Sequence, residues 1–62
     1  MRAKALAKRI ADRSWKLKDK LIDMHNQAKE SGLDALAEEL CGAFMMMDGV
    51  IGEAERAAKR TT

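Results

Sequence analysis

Apolar and small residues recur along the chain in two series that mirror each other about residue 32. In the first half, steps of four and three give Ala3, Ala7, Ile10, Ser14, Leu17, Leu21, Met24 and Ala28. In the second half, the same steps give Leu36, Leu40, Ala43, Met47, Val50, Ala54 and Ala57. This is the spacing of heptad positions a and d, and it predicts two long helices that pack along one seam.

The fold predicted from this pattern is an all-α, antiparallel two-helix hairpin that forms a single domain over residues 1–62. Helix 1 is expected over about 3–30, a turn over about 31–34 and helix 2 over about 35–59. Gly32 is suited to end helix 1 in the left-handed conformation, and Asp34 or, alternatively, Ser31 is suited to cap helix 2. The Asp48-Gly49 step is a turn signal that could break helix 2, but the seam keeps its register through it, which favours one continuous helix.

One flank of the predicted seam, at heptad positions e and b, is also rich in apolar residues. It contains Ala11, Trp15, Ile22, Cys41, Phe44 and Ile51. A patch with the only Trp and the only Phe is expected to be covered, and a second copy is its simplest partner. The sequence therefore predicts a homodimer that forms a four-helix bundle, and it leaves the relative direction of the two hairpins open.

Composition supports this interpretation and excludes several others. The chain has no proline, 47% of its residues are hydrophobic, and 62 residues bury little surface when they fold alone. No uncharged stretch is long enough to cross a membrane, and no signal peptide is apparent at the N-terminus. A single cysteine cannot form an internal disulfide, so we expect a cytoplasmic protein.

Charge is divided unevenly along the chain. Residues 1–20 contain eight Lys or Arg and two Asp, whereas residues 21–62 contain four Lys or Arg and eight Asp or Glu. Arg13 is expected to pair with Glu53 across the seam. Arg2, Arg9 and Lys16 lie further out with no matched acid, as a stripe that is either solvated or able to meet phosphates or an acidic protein surface. We predict a partner-binding surface composed of Arg2, Arg9, Arg13, Lys16, Lys20, Met45, Met46 and Gly49.

Two features of helix 2 contribute to that prediction. Met45 and Met46 are expected to point outward, where methionine makes adaptable apolar contacts. Gly42 and Gly49 lie one heptad apart and form a stripe of small residues with Ala35. The stripe is consistent with a close helix approach, an indifferent surface or a docking groove.

No enzyme chemistry is predicted. His25 and Cys41 are the only soft metal ligands, and neither has the paired spacing of a zinc site, so we expect no metal and no cofactor. Nucleophilic catalysis by a Cys–His pair would also need an orienting third group and a concave pocket, and a two-helix layer has little room for a pocket. The predicted set of catalytic residues is empty.

The short chain, the helical hairpin and the alternating layers resemble the Rop-type plasmid copy-number regulators. The segment Asp19-Lys20-Leu21-Ile22-Asp23-Met24 is similar to the helix 1 heptad of such proteins. The resemblance implies a helical-hairpin dimer. It implies no RNA-binding residue, because Trp15 lies on a different flank from the exposed aromatic residue that this family uses.

We therefore expect a small, non-enzymatic regulatory or adaptor protein that binds a larger protein as a homodimeric bundle. The alternative is a regulator that binds the backbone of RNA or DNA through the basic face of helix 1. A third possibility is a structural role in which assembly is itself the function.

Overall fold

The computed structural model describes residues 2–60. Two antiparallel helices, α1 (Arg2–Glu30) and α2 (Asp34–Arg60), pack against each other in a rod of 47 × 14 × 10 Å. The predicted all-α hairpin is confirmed. The observed helices extend the expected ones by one residue at the start of α1 and by one residue at each end of α2.

The turn between the helices is short because Gly32 adopts a left-handed conformation, with φ of 77°. The amide of Leu33 donates to the carbonyl of Ala28 at 2.8 Å, and the amide of Gly32 donates to the carbonyl of Lys29 at 3.1 Å. These two bonds satisfy carbonyls that the end of a helix leaves open, in the Schellman arrangement. Gly32 therefore ends α1 as its sequence position predicts.

Helix α2 begins one residue earlier than the predicted cap would require. The carbonyl of Leu33 accepts the first helical bond, from the amide of Ala37 at 2.9 Å, so Asp34 is already inside the helix. Its carboxylate lies in the first turn, where the positive end of the helix dipole stabilises it. The helix then continues without a break through Asp48-Gly49, as the seam register favours.

The layer between the helices consists almost entirely of small side chains. Its buried members are Ala7, Ala11, Ser14, Ala28, Ala37, Ile51 and Ala54. Among the described residues, no large side chain is fully buried. Alanine and serine fill little space, so two helices that meet through them can pack closely.

The predicted seam is wrong at its d positions. Leu17 keeps 50% of its surface exposed, and Ile10 and Val50 are exposed as well. The positions that pack between the helices are a and e, with Ala11 and Ala37 in place of the d residues. The physical reason is size: the alanines at e permit the closest approach, and the branched residues at d are turned to one side.

Packing through positions a and e, in place of a and d, also buries part of the predicted dimer interface. Ala11 and Ile51 are buried between the helices of one chain, so they are not accessible to a second copy. Ile22, Cys41 and Phe44 are half-buried by the same packing. Of the six residues predicted for this interface, Trp15 is the one that stays largely exposed, at 46%.

The hairpin presents two broad faces, one on either side of the alanine layer. We call the strip of d positions the leucine face: Ile10, Leu17, Met24, Leu36, Ala43 and Val50. We call the strip of b positions the tryptophan face: Lys8, Trp15, Ile22, Cys41, Asp48 and Glu55. Residues of one strip recur every seven positions, so each strip follows a helix from end to end.

Candidate interaction surfaces

The tryptophan face is connected across the two helices by polar groups. The indole Nε1 of Trp15 donates to Oε2 of Glu55 at 3.3 Å. The ammonium of Lys18 lies 5.2 Å from the centre of the Trp15 ring and 2.5 Å from Oδ1 of Asp48. The exposed Trp15 therefore has a hydrogen-bond acceptor and a cation as neighbours within its own chain.

Lys18 is the most enclosed charged group of this face. Its side chain is 18% exposed, whereas that of Asp48 is 58% exposed. A lysine stem can pack on apolar surface while its ammonium finds an acid, and Lys18 does both here. The apolar flank predicted from the sequence is therefore interrupted at its centre by an ion pair between the two helices.

His25 and Cys41 each have a side-chain neighbour within their own chain. The His25 ring meets the Phe44 ring edge to face, with centroids 5.5 Å apart and planes at 88°. The thiol of Cys41 lies 3.8 Å from the thioether sulfur of Met45. Within residues 2–60, no three His, Cys, Asp or Glu side chains come together as a metal site would require.

The leucine face contains two shallow grooves, one at each end of the rod. We call the end of the rod far from the turn the open end. The groove near it is lined by residues that include Ile10, Met46, Gly49, Val50 and Arg60. The groove near the turn is lined by residues that include Met24, Leu33, Leu36 and Leu40. Both grooves are open and mainly apolar, and no polar pair connects the helices across the exposed leucine-face side chains that border them.

The predicted methionine surface is divided between the two faces. Met46, which at 76% is the most exposed large apolar residue within 2–60, lines the open-end groove of the leucine face together with Gly49. Met45 is exposed as well but approaches Cys41 of the tryptophan face. A Cβ atom built on Gly42 or Gly49 would meet nothing within 4 Å, so the stripe of small residues is open surface and not a close helix contact.

All five predicted basic contact residues are exposed. Arg2, Arg9 and Lys16 recur every seven residues on the edge of α1 that faces away from α2, at intervals of about 10 Å. Arg13 and Lys20 lie between that edge and the leucine face. We call these five residues the basic edge. They lie on α1, whereas Met45, Met46 and Gly49 lie on α2.

The ion pair predicted across the seam, Arg13 with Glu53, is replaced by one within α2. The guanidinium of Arg56 binds the carboxylate of Glu53 from three residues further along the helix. This hydrogen bond, and then the positive charge of Arg56, lower the pKa of Glu53 below its usual value. On the basic edge, Lys16 lies 3.6 Å from Asp12 one turn earlier.

Comparison with known proteins yields no relative. No protein-family model matches the chain, and no curated protein or solved structure matches it significantly. Within the described part of the chain, neither helix is both long and apolar enough to span a bilayer. What this chain does therefore has to be inferred from its own surfaces.

The sequence pattern does not predict the leucine face as a surface, because its residues occupy position d and are assigned to the seam between the two helices. One signal in the sequence distinguishes the two flanks. Every d position from Ala3 to Ala57 is apolar, whereas the b positions also contain Lys8, Asp48 and Glu55. Because positions a and e join the two helices, the uniformly apolar strip of d positions is left exposed.

Proposed function

We propose that this protein is a small, non-enzymatic regulatory or adaptor protein of the cytoplasm, which acts as a homodimeric helical bundle and binds the acidic surface of a larger protein. The observation that supports the proposal is the basic edge. Its outer row, Arg2, Arg9 and Lys16, is exposed along one helix and faces away from both α2 and the leucine face, and of these three only Lys16 has an acidic neighbour among the ion pairs of residues 2–60. Regularly spaced cations on a rigid helix attract and orient an acidic partner.

The division of charge between the helices supports the same proposal. The first 20 residues carry most of the positive charge, and the acids of the chain lie mainly beyond them. A surface that is basic along only one edge orients a partner, whereas a uniformly basic protein would bind acidic molecules indiscriminately.

The second candidate function is binding to the phosphate backbone of RNA or DNA through the same edge. Its support is the repeat of Arg2, Arg9 and Lys16 along one line of α1, since a row of cations also matches a row of phosphates. Contact with about four phosphates would give a log–log salt dependence of affinity with a slope of about −3 to −4.

Affinity capture from native lysate tests the proposal when it is made with matched charge variants. In the first variant, Arg9→Glu and Lys16→Glu reverse two charges of the basic edge. In the control, Lys8→Glu and Lys29→Glu make the same change in net charge away from that edge. We expect the wild type and the control to retain one set of proteins that the basic-edge variant loses.

Nuclease treatment separates the two candidates. If the captured proteins persist after nuclease digestion, they bind the chain directly, as proposed. If capture is abolished by nuclease, the nucleic-acid alternative is correct. Equal loss in both charge variants would contradict a role for the basic edge, because net charge alone would then explain the binding.

A further inference from the structure

We propose that the leucine face is the surface through which two copies of this chain associate, with both turns at the same end of the resulting four-helix bundle. The inference rests on the homodimer of the proposed function and adds to it the contact face and the orientation of the two hairpins. It replaces the e and b flank as the expected interface. Three properties of the described residues support it.

The first property is the content of the two faces. Leu17, Met24 and Leu36 keep about half of their surface exposed. On the tryptophan face, the ion pair of Lys18 with Asp48 and the bond from Trp15 to Glu55 would have to be desolvated by a partner. Covering apolar surface is favourable, whereas dehydrating satisfied charges is costly, so the leucine face is the better contact.

The second property is the composition of the layer between the helices. Six of its seven buried residues are Ala or Ser, and they remove little apolar surface from water. Ile10, Leu17, Met24, Leu36 and Val50, which remain exposed, lie on the leucine face instead. When two leucine faces meet, their d residues become the centre of a four-helix core, which a single hairpin of this size lacks.

The third property is the charge along the outer borders of the leucine face. The border on α1 carries Arg13 and Lys20. The border on α2 carries Glu39 and Glu53, with Arg60 at the end far from the turn, and Glu53 is also bound by Arg56 of its own helix. Apart from Arg56, these residues occupy heptad position g, next to the d strip. Between Glu39 and Glu53 the α2 border is acidic while the α1 border is basic, which makes this stretch of the face electrostatically self-complementary in only one orientation.

The bond between Lys18 and Asp48 defines which residues lie level on the two helices. Arg13 and Glu53 are each five residues further from the turn than that pair, so they lie at the same height. With both turns at one end, α1 lies on the partner's α2 and Arg13 meets the partner's Glu53. With the turns at opposite ends, α1 lies on the partner's α1 and Arg13 approaches the partner's Lys20, which is repulsive.

Matched substitutions on the two faces test the choice of face. Leu17→Gln and Trp15→Gln each remove one half-exposed apolar side chain without adding charge. We expect Leu17→Gln to raise the dimer dissociation constant about 100-fold, because each dimer loses two buried leucines, and Trp15→Gln to leave it within about threefold. Sedimentation equilibrium measures the constant, and far-ultraviolet circular dichroism shows whether each variant remains helical.

The outcomes separate this inference from the proposed function. A wild type that is monomeric at every concentration would contradict both the inference and the homodimer of the proposed function. A dimer that Trp15→Gln dissociates and Leu17→Gln does not would contradict only the choice of face. A dimer that neither substitution weakens would contradict the leucine face as well.

Disulfide cross-linking at a protein concentration where the cysteine variants are dimeric tests the orientation. In a Cys41→Ser background, Leu17→Cys chains are mixed with Val50→Cys chains that carry a tag of different mass, and the mixture is oxidised. With both turns at one end, Leu17 lies near the partner's Val50, so the mixed disulfide should dominate. A dominant disulfide between two Leu17→Cys chains would overturn the proposed orientation.

Discussion

The leucine face and the tryptophan face of the hairpin differ in what holds their exposed side chains. On the tryptophan face, Trp15 donates to Glu55 and is covered in part by the ammonium of Lys18. On the leucine face, Leu17 and Val50 are about half exposed and Val50 lines an open apolar groove, and within residues 2–60 no hydrogen bond or ion pair joins the helices across these two side chains. The difference shows that an exposed aromatic residue is weaker evidence for an interface than an exposed strip whose neighbours leave it uncovered.

Both faces depend on the short distance between the two helices. The alanines at positions a and e bring α1 and α2 near enough for Lys18 to reach Asp48 and for the d residues to form one continuous strip. Changes in this layer should therefore affect both faces together, whereas changes on one face should leave the other intact.

The largest expected effect on stability comes from widening the alanine layer. Ala37 is 1% exposed, so Ala37→Leu has no space and should lower the free energy of unfolding by about 1–3 kcal/mol. The control is Ala35→Leu on the exposed side of the same helix, which should change it by less than about 0.5 kcal/mol. Urea titration at one fixed protein concentration measures both, and equal stability of the two variants would contradict the tight layer.

The next largest effect on stability is expected from the ion pair of Lys18 with Asp48 on the tryptophan face. Asp48→Ala removes the partner of Lys18, and Asp19→Ala is a matched control because it makes the same change at an exposed position of α1. We expect Asp48→Ala to be less stable than Asp19→Ala by about 0.5–1 kcal/mol, since Asp48 is more than half exposed. Urea titration in 1 M NaCl should narrow the difference because salt screens the pair. A difference that salt does not change would contradict an electrostatic origin.

The smallest effect concerns the indole bond from Trp15 to Glu55. Trp15→Phe and Glu55→Ala, alone and combined, form a double-mutant cycle that removes the contribution of the lost ring area. We expect a coupling energy of about 0.5 kcal/mol, because the bond is 3.3 Å long and exposed to water. A coupling energy indistinguishable from zero would mean that Trp15 and Glu55 contribute independently.

The sequence predicts the helices and the turn well because their causes are local. Gly32 is the residue that most easily takes a positive φ, and the residues on either side of it have strong helical periodicity. Continuity through Asp48-Gly49 also follows from the pattern, since packing along a whole helix outweighs the helix propensity of two glycines. These features need no knowledge of what lies across the seam.

The choice of seam could not be predicted because it depends on the distance between the helices. A heptad pattern makes both a with d and a with e plausible, and hydrophobicity alone favours the larger residues at d. Ala11 and Ala37 prevail in the structure because small side chains permit closer packing. The seam also determines which residues are exposed. Because the helices pack through positions a and e, Ile51 at e is buried and Leu17 at d is half exposed.

The short turn at Gly32 determines the end from which the two helices separate during local unfolding. Residues beside the bend remain neighbours even when their side chains detach, because only a few bonds of chain join them. At the far end of the rod, no covalent link within residues 2–60 opposes departure. The hairpin should therefore peel apart from its open end inward, with the basic residues near Arg2 released before the segment around Ala28 loosens.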